Sequence, residues 1–204
     1  MTPASPHDAA ARRLHEQIDF LCAIDELKGV LRQTSLLDAS RRENSAEHSW
    51  HLALYALVLA EYAEGDIDLA RVLRMVLVHD IVEIDAGDTY IYDDTGRETK
   101  EERERQAADR LFALLPDDQA GVLRAAWDEF EERRTPEARF AYAIDRLQPL
   151  LHNHRTHGFA WRRHGITVDQ VYEKNHPIGD GAPRLWELAR ELVETSAQRG
   201  DLKR

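Results

Sequence analysis

Apolar residues recur at intervals of three and four along most of the chain, which is the period of an amphipathic α-helix. The first stretch predicts a helix from about residue 7 to about residue 31, with an apolar face. This face is formed by Leu14, Ile18, Leu21, Ile24, Leu27, Val30 and Leu31. The segment from Leu36 to Arg42 has no sustained period and is expected to be a loop. No alternating pattern exceeds Tyr90–Tyr92, so no strands are expected.

Local start signals divide the rest of the chain into further helices. Asn44, followed three residues later by Glu47, is a capping-box pattern. The helix that it starts is apolar on most faces from Trp50 onwards, so we expect it to be central. Thr135 before Pro136 predicts a helix that carries Asp145 and ends near His154. Other helices are expected after a cap at Asp66, from Thr99 to before Pro116, from there to about Arg133, from Thr167 to Lys174, and from Pro183 to Arg199.

The residues from Asp85 to Arg97 interrupt this helical pattern. Gly87, Asp88, a Tyr-Ile-Tyr run and Gly96 favour a long loop, and loops of this length often carry function. The chain has no internal repeat and no low-complexity linker. The pattern therefore predicts one all-α domain over residues 1–204.

Amino-acid composition and net charge disfavour several classes of protein function. The 204 residues include 27 Lys and Arg against 38 Asp and Glu, a net charge of −11. An acidic chain disfavours nucleic acid polymers as partners, because that binding relies on cations that neutralise phosphates. An anionic substrate would therefore need a local cation. No run approaches the roughly 18 apolar residues of a membrane span, and no secretory signal appears. Cys22, the single cysteine, cannot form an internal disulfide, so a cytoplasmic protein is expected.

A histidine–aspartate pair ends a strongly apolar run. His79 and Asp80 lie near the end of VLRMVLVHDIVEI. Burying a carboxylate without a partner costs several kcal/mol, so Asp80 needs a cation or hydrogen-bond donors. A metal site and a hydrogen-bonded His–Asp pair within the core both meet that need.

Two further positions are chemically notable. His48 lies early in its helix, and His51 follows on the same face, although a partly exposed polar residue is the favoured interpretation of His51. Asp145 lies beside the buried face of its helix, where a salt bridge to Arg146 is the plainer alternative. Together with the His79–Asp80 pair, however, they supply two imidazoles and two carboxylates, which suit a divalent transition metal.

The order His48, His79-Asp80, Asp145 resembles the H…HD…D signature of the HD-domain metal-dependent phosphohydrolases, over about residues 25 to 155. The flanking residues are similar to those of the 5′-deoxynucleotidase subgroup, which acts on deoxynucleoside monophosphates. These are Glu-Asn-Ser-Ala-Glu-His-Ser around the first position, Glu83, Gly87-Asp88, and Ala-Ile-Asp-Arg-Leu-Gln around the last.

The resemblance implies a single HD-domain helical bundle with a helical extension over about residues 156–204. It also implies one divalent metal, which could be Mn, Co, Fe, Ni, Zn or Mg, and a homodimer. The roles that it implies for residues are metal ligation by His48, His79, Asp80 and Asp145, water activation or leaving-group protonation by Glu83 and Asp88, and phosphate binding by Arg32.

The expected activity is hydrolysis of (deoxy)nucleoside 5′-monophosphates to nucleoside and phosphate. The subgroup has Trp after the phosphate-binding Arg, whereas this chain has Gln33, which puts selectivity for deoxyribose in question. No histidine lies between Asp80 and Asp145, so a dinuclear site is not expected. The alternatives are hydrolysis of a non-nucleotide or modified-nucleotide phosphate, and a nucleotide-sensing helical protein with a structural metal. The histidines at 152, 154 and 157 have no assigned role, and surface positions are favoured.

Overall fold

The computed structural model describes residues 6–204, so residues 1–5 of the expected domain and of the N-terminal segment lie outside the described residues. Helices dominate, as the periodicity predicts. In chain order they are α1 (Pro6–Ala23), α2 (Ser45–Leu59), α3 (Leu69–Val78), α4 (Glu83–Ala86), α5 (Asp94–Arg97), α6 (Lys100–Phe112), α7 (Asp117–Glu132), α8 (Pro136–Arg155), α9 (Phe159–His164), α10 (Val168–Asn175), α11 (Ile178–Gly181) and α12 (Pro183–Gln198). Short 3₁₀ helices cover Ile24–Gly29 and Ala60–Tyr62.

The segment between α1 and α2 departs from the prediction. The first helix ends at Ala23 instead of near residue 31, and β1 (Leu31–Ser35) pairs antiparallel with β2 (Arg42–Asn44). The expectation of no strands was wrong because this pair is too short and irregular to show alternation. The guanidinium of Arg42 also donates hydrogen bonds to backbone carbonyls of β1, which supports the hairpin through a side chain.

The capping signals were mostly correct. The Asn44 side chain accepts a hydrogen bond from the Glu47 amide at 2.9 Å, and Glu47 accepts one from the Asn44 amide at 3.2 Å. Thr135 caps α8 as predicted. The cap of α3 is Asp68 and not Asp66, because the carboxylate of Asp68 accepts from the first amides of the helix. Among the described helices, side-chain hydrogen bonds cap the starts of α2, α3, α5, α8 and α10.

Helix α8 lies at the centre of the core, where its residues from Phe140 to Leu147 are almost all buried. Helices α2, α3, α7 and α11 pack around it. The expectation of a central α2 was only half correct: Leu52 and Ala56 are fully buried, but Trp50 is 62% exposed and Val58 is 70% exposed. The apolar stripe of α1 is likewise largely exposed. Periodicity thus identified helical faces that the chain leaves uncovered.

The C-terminal helices pack directly against α8. At Gly181, a β-carbon would lie 2.1 Å from the carbonyl oxygen of Arg139, so only glycine permits this approach of α11. The Gly181 carbonyl also accepts a hydrogen bond from the Glu64 amide at 2.8 Å. Within residues 6–204, no helix is both long enough and apolar enough to cross a membrane.

Candidate active site

Three distant segments bring His48, His79 and Asp145 together in the core. One ligand atom from each lies within 4.8 Å of the others. Oδ1 of Asp145 is 2.9 Å from Nε2 of His48 and 3.6 Å from Nε2 of His79. All three residues are buried. Two imidazole nitrogens and a carboxylate oxygen in this arrangement can hold a divalent transition metal.

Asp80 contacts one member of this group, His79, at the point where α3 has just ended. Helix α3 ends at Val78, and the chain turns through residues 79–82 before α4. Oδ1 of Asp80 lies 3.0 Å from Nε2 of His79. Neighbouring residues on a regular helix diverge by about 100°. The turn instead brings a carboxylate oxygen of Asp80 against His79, although Asp80 is not among the three residues whose ligand atoms lie within 4.8 Å of one another.

The environments of the two histidines differ in a way that suits cation binding. Burial, reinforced by the nearby Arg32, lowers the pKa of His48 to about 4, so its ring is neutral near pH 7. Burial also acts against a charge on His79, but Asp80 and Asp145 outweigh it and raise the pKa of His79 to about 9. Nε2 of His79 is buried and makes no hydrogen bond. The two carboxylates that favour a proton on His79 would equally favour a metal ion, whose binding would displace that proton from Nε2.

Arginines hold the outer oxygens of both aspartates. Nη2 of Arg146 lies 2.6 Å from Oδ2 of Asp145, and Nη1 of Arg32 lies 2.7 Å from Oδ2 of Asp80. The plainer alternative, a salt bridge from Asp145 to Arg146, is therefore present, and it leaves Oδ1 facing the histidines. Although burial opposes ionisation, Arg146 and His79 keep the pKa of Asp145 well below its usual range. Asp80 has a lowered pKa for a similar reason.

Glu83 and Asp88 line the same pocket as the ligand group. Glu83 is buried, and one of its oxygens accepts a hydrogen bond from the Ser45 hydroxyl at 2.6 Å. Burial and the charge of Asp80 raise the pKa of Glu83 to about 8, despite the opposing effect of Arg32. Burial also raises the pKa of the half-buried Asp88, against the influence of Arg32. Glu83 can therefore exchange a proton near neutral pH.

Arg32 emerges from β1 into this pocket. Its side chain is 10% exposed, and its Nη1 contacts Asp80. Its Nε, in contrast, has no hydrogen-bond partner. The guanidinium therefore retains donor capacity for an anion. The negatively charged surroundings, led by Asp80, outweigh burial and raise the pKa of Arg32 further. This is the local cation that an acidic chain needs in order to attract an anionic substrate.

Most of the remaining pocket wall was not predicted from the sequence. Arg146, which stacks over the ring of Tyr142, was considered only as a salt-bridge partner. The Tyr-Ile-Tyr run in the expected functional loop was the one available signal for an aromatic wall. The other lining residues that were missed include Tyr90, Tyr92, Lys100, Glu104, Tyr142, Asn153, Trp161 and Asn175.

The remaining histidines do not join the first group. His51 is half-buried and its ring centroid lies 5.7 Å from that of His152, in a separate group with Glu43. His152 is only 4% exposed, so its expected surface position was wrong. Its ring is held by the Ser35 carbonyl, a contact 117 residues apart in sequence. His154 is partly buried, and His157 is exposed as expected.

Comparison with known proteins gives one consistent family. The HD domain family matches residues 24–186 of this chain. The protein called 5′-deoxynucleotidase HDDC2 from Bos taurus is 31% identical over 153 residues, which cover 74% of this chain and 73% of that one. Its counterpart of the same name from Homo sapiens is 30% identical over 135 residues, covering 66% and 65% of the two chains. This chain thus spans about two thirds to three quarters of these relatives.

A solved structure agrees over nearly the whole chain. The crystal structure of a "predicted metal-dependent phosphohydrolase" from Magnetospirillum magnetotacticum is 55% identical, with a TM-score of 0.90. The match covers 94% of this chain and 96% of that one. The agreement includes the C-terminal helices as well as the site-bearing bundle.

Proposed function

This chain belongs to the HD domain family and is a metal-dependent phosphohydrolase, and we propose that it hydrolyses (deoxy)nucleoside 5′-monophosphates to nucleoside and phosphate. The main support for this proposal is the buried group of His48, His79 and Asp145. Two of its members, His79 and Asp145, line a pocket together with Arg32 and Glu83. Relatives named 5′-deoxynucleotidase support the substrate class.

The proposed ligands of the single divalent ion are His48, His79, Asp80 and Asp145. When bound there, the ion would supply Lewis-acid polarisation of the phosphoryl group. The neutral ring of His48 and the ionised Asp145 are in the protonation states that ligation needs. Arg146 and Arg32 hold the outer oxygens of the two aspartates, so the inner oxygens remain oriented toward the ion.

The other polar residues of the pocket would act on the phosphate ester. Arg32 donates hydrogen bonds to the phosphoryl oxygens and offsets their charge. Asp88 orients the attacking water and takes its proton, while Glu83 donates a proton to the 5′-oxygen as the phosphorus–oxygen bond breaks. With its pKa raised to about 8, Glu83 holds that proton near neutral pH. The products are inorganic phosphate and a free 5′-hydroxyl.

The aromatic residues of the pocket support a nucleoside rather than a small aliphatic leaving group. Tyr90, Tyr92, Tyr142 and Trp161 lie along the wall, and aromatic side chains stack well on bases, typically by about 1–3 kcal/mol each in single-strand binding sites. Gln33 also lines the pocket and contacts His164 at 3.2 Å. We propose that the polar side chain of Gln33 allows the pocket to accept ribose as well as deoxyribose.

Release of inorganic phosphate from a panel of substrates tests the proposal. The panel contains the deoxy- and ribonucleoside 5′-monophosphates and glycerol phosphate, each with Mn²⁺, Co²⁺ or Mg²⁺. We expect turnover of the nucleotides by the wild type and its loss in His79→Ala. The matched control is His157→Ala, at an exposed histidine outside the pocket. Turnover of glycerol phosphate alone would refute the substrate class, and equal turnover in His79→Ala would refute the site.

We propose further that the protein is a homodimer and a single-domain enzyme of the cytoplasm. The exposed apolar side chains of α2, which include Trp50, Leu57 and Val58, support a covered face. The free Cys22 supports a reducing compartment. Light scattering should give twice the mass of one chain, and Val58→Glu should reduce it to one. A monomeric wild type would contradict the dimer.

A further inference from the structure

A chain of buried polar side chains lies behind His48, on the side away from Asp145. Gln148 is fully buried, Glu43 is 2% exposed and His152 is 4% exposed. Polar groups this deeply buried are costly unless they are hydrogen-bonded. Nδ1 of His48 lies 3.2 Å from Oε1 of Gln148. Nε2 of Gln148 lies 2.7 Å from Oε1 of Glu43 and 3.1 Å from Nε2 of His152.

One backbone group fixes the direction of every hydrogen bond in this chain. The carbonyl of Ser35 lies 2.9 Å from Nδ1 of His152, and a carbonyl can only accept, so Nδ1 carries the hydrogen. Nε2 of the neutral His152 ring is then an acceptor. The amide nitrogen of Gln148 must therefore face Nε2 of His152. The carboxylate of Glu43, which also accepts, requires the same orientation of the amide. The amide oxygen of Gln148 is therefore left to face His48.

The orientation of Gln148 determines which nitrogen of His48 carries the hydrogen. Because Oε1 of Gln148 can only accept, Nδ1 of His48 carries the hydrogen, and Nε2 of the neutral ring carries a lone pair. That lone pair faces Oδ1 of Asp145 at 2.9 Å. Two acceptors at this distance repel each other unless a cation lies between them. The network therefore selects the tautomer of His48 that ligates a metal and rejects the one that would donate a hydrogen bond to Asp145.

The same residues do not form a second metal site. Glu43, His51 and His152 also offer three ligand atoms within 4.8 Å of one another. The amide of Gln148, however, already donates to both Glu43 and His152, so hydrogens occupy the positions that an ion would need. The remaining oxygen of Glu43 is buried without a hydrogen bond, 3.9 Å from Nε of Arg32. Its nearest charge is thus an arginine.

We propose that Gln148 is a positioning residue, held in orientation by His152 and Glu43, that fixes the Nδ1-protonated tautomer of His48. The inference rests on the proposed function, because it assigns His48 to the metal. It assigns roles to two buried residues, Gln148 and His152, neither of which touches the substrate. A misoriented ring would offer a hydrogen where the ion should bind, so the network acts on metal affinity before it acts on turnover.

The test measures the tautomer without the metal. In the full-length protein stripped of metal, ¹⁵N chemical shifts of the histidine rings should show His48 protonated at Nδ1. In Gln148→Leu the shifts should move toward Nε2 protonation, and the Kd for Mn²⁺ by calorimetry should rise about 10- to 100-fold. The control Gln106→Leu makes the same change at an exposed site on α6 and should alter neither.

A conservative variant guards against simple misfolding. Glu43→Gln keeps an oxygen that can accept from the amide of Gln148, so it should retain the Nδ1-protonated His48 and most of the Mn²⁺ affinity. Nε2 protonation of His48 in the wild type, or unchanged shifts and Kd in Gln148→Leu, would overturn the proposal. Failure of the wild type to bind Mn²⁺ while it retains the Nδ1 tautomer would instead overturn the proposed metal site.

Discussion

The assignment of Glu83 as the proton donor makes a quantitative prediction about pH. An ordinary glutamate with a pKa near 4.5 is protonated in only about one molecule in 300 at pH 7. Because burial and Asp80 raise the pKa of Glu83 to about 8, the protonated form exceeds the ionised form about tenfold at that pH. The Ser45 hydroxyl donates to one carboxyl oxygen, so the other is left to carry the proton.

Loss of the Glu83 proton should slow the reaction at high pH. The proton is present below pH 8 and is lost above it, so kcat at saturating metal and nucleotide should fall about tenfold per pH unit on the alkaline side. Glu83→Gln keeps the size of the side chain and an acceptor for Ser45 but cannot release a proton. It should lower kcat by about 10²- to 10⁴-fold, the usual contribution of general acid catalysis, and abolish the alkaline decline.

The assay is phosphate release from a deoxynucleoside monophosphate between pH 5.5 and 9.5. Glu137→Gln is the matched control, since Glu137 is a buried glutamate on α8 that does not line the pocket. It should keep the wild-type profile. A wild-type kcat that stays level to pH 9.5, or a Glu83→Gln enzyme with near-normal kcat, would refute the role of Glu83 as the acid.

Three further predictions concern the metal, the phosphate and the fold. Asp145→Ala should reduce bound metal, measured by mass spectrometry after purification without chelator, from about one ion per chain to less than a tenth of that; an unchanged content would contradict the ligand set. Arg32→Lys keeps a charge near Asp80 but loses the forked donor, so KM for the nucleotide should rise roughly tenfold or more, consistent with about 1.5–3 kcal/mol for a charged hydrogen bond; an unaltered KM would exclude Arg32 from phosphate binding. Asn44→Ala breaks the capping box with Glu47 and should cost about 1 kcal/mol, or about 2–4 °C in Tm, and a Tm equal to that of the wild type would show that the cap adds no stability.

The sequence by itself determined much of the local helical structure and indicated the candidate site residues. The helical period and the caps at Asn44 and Thr135 are encoded within a few residues, so they could be predicted without knowledge of the fold. The ordered positions of His48, His79 and Asp145 likewise predicted residues whose ligand atoms the structure places within 4.8 Å of one another. These features were accessible because each depends on neighbours along the chain or on a recurring motif.

Only the tertiary structure decided how these parts meet. Periodicity shows which residues share a helical face, but not whether another helix covers it, so the exposure of Trp50 and Val58 could not be predicted. The turn after Val78, the approach of Arg32 to Asp80 and the burial of His152 all depend on contacts tens of residues apart or more. The proton positions around the site follow from those contacts, because a tautomer is set by its hydrogen-bond partners and not by the residue that carries it.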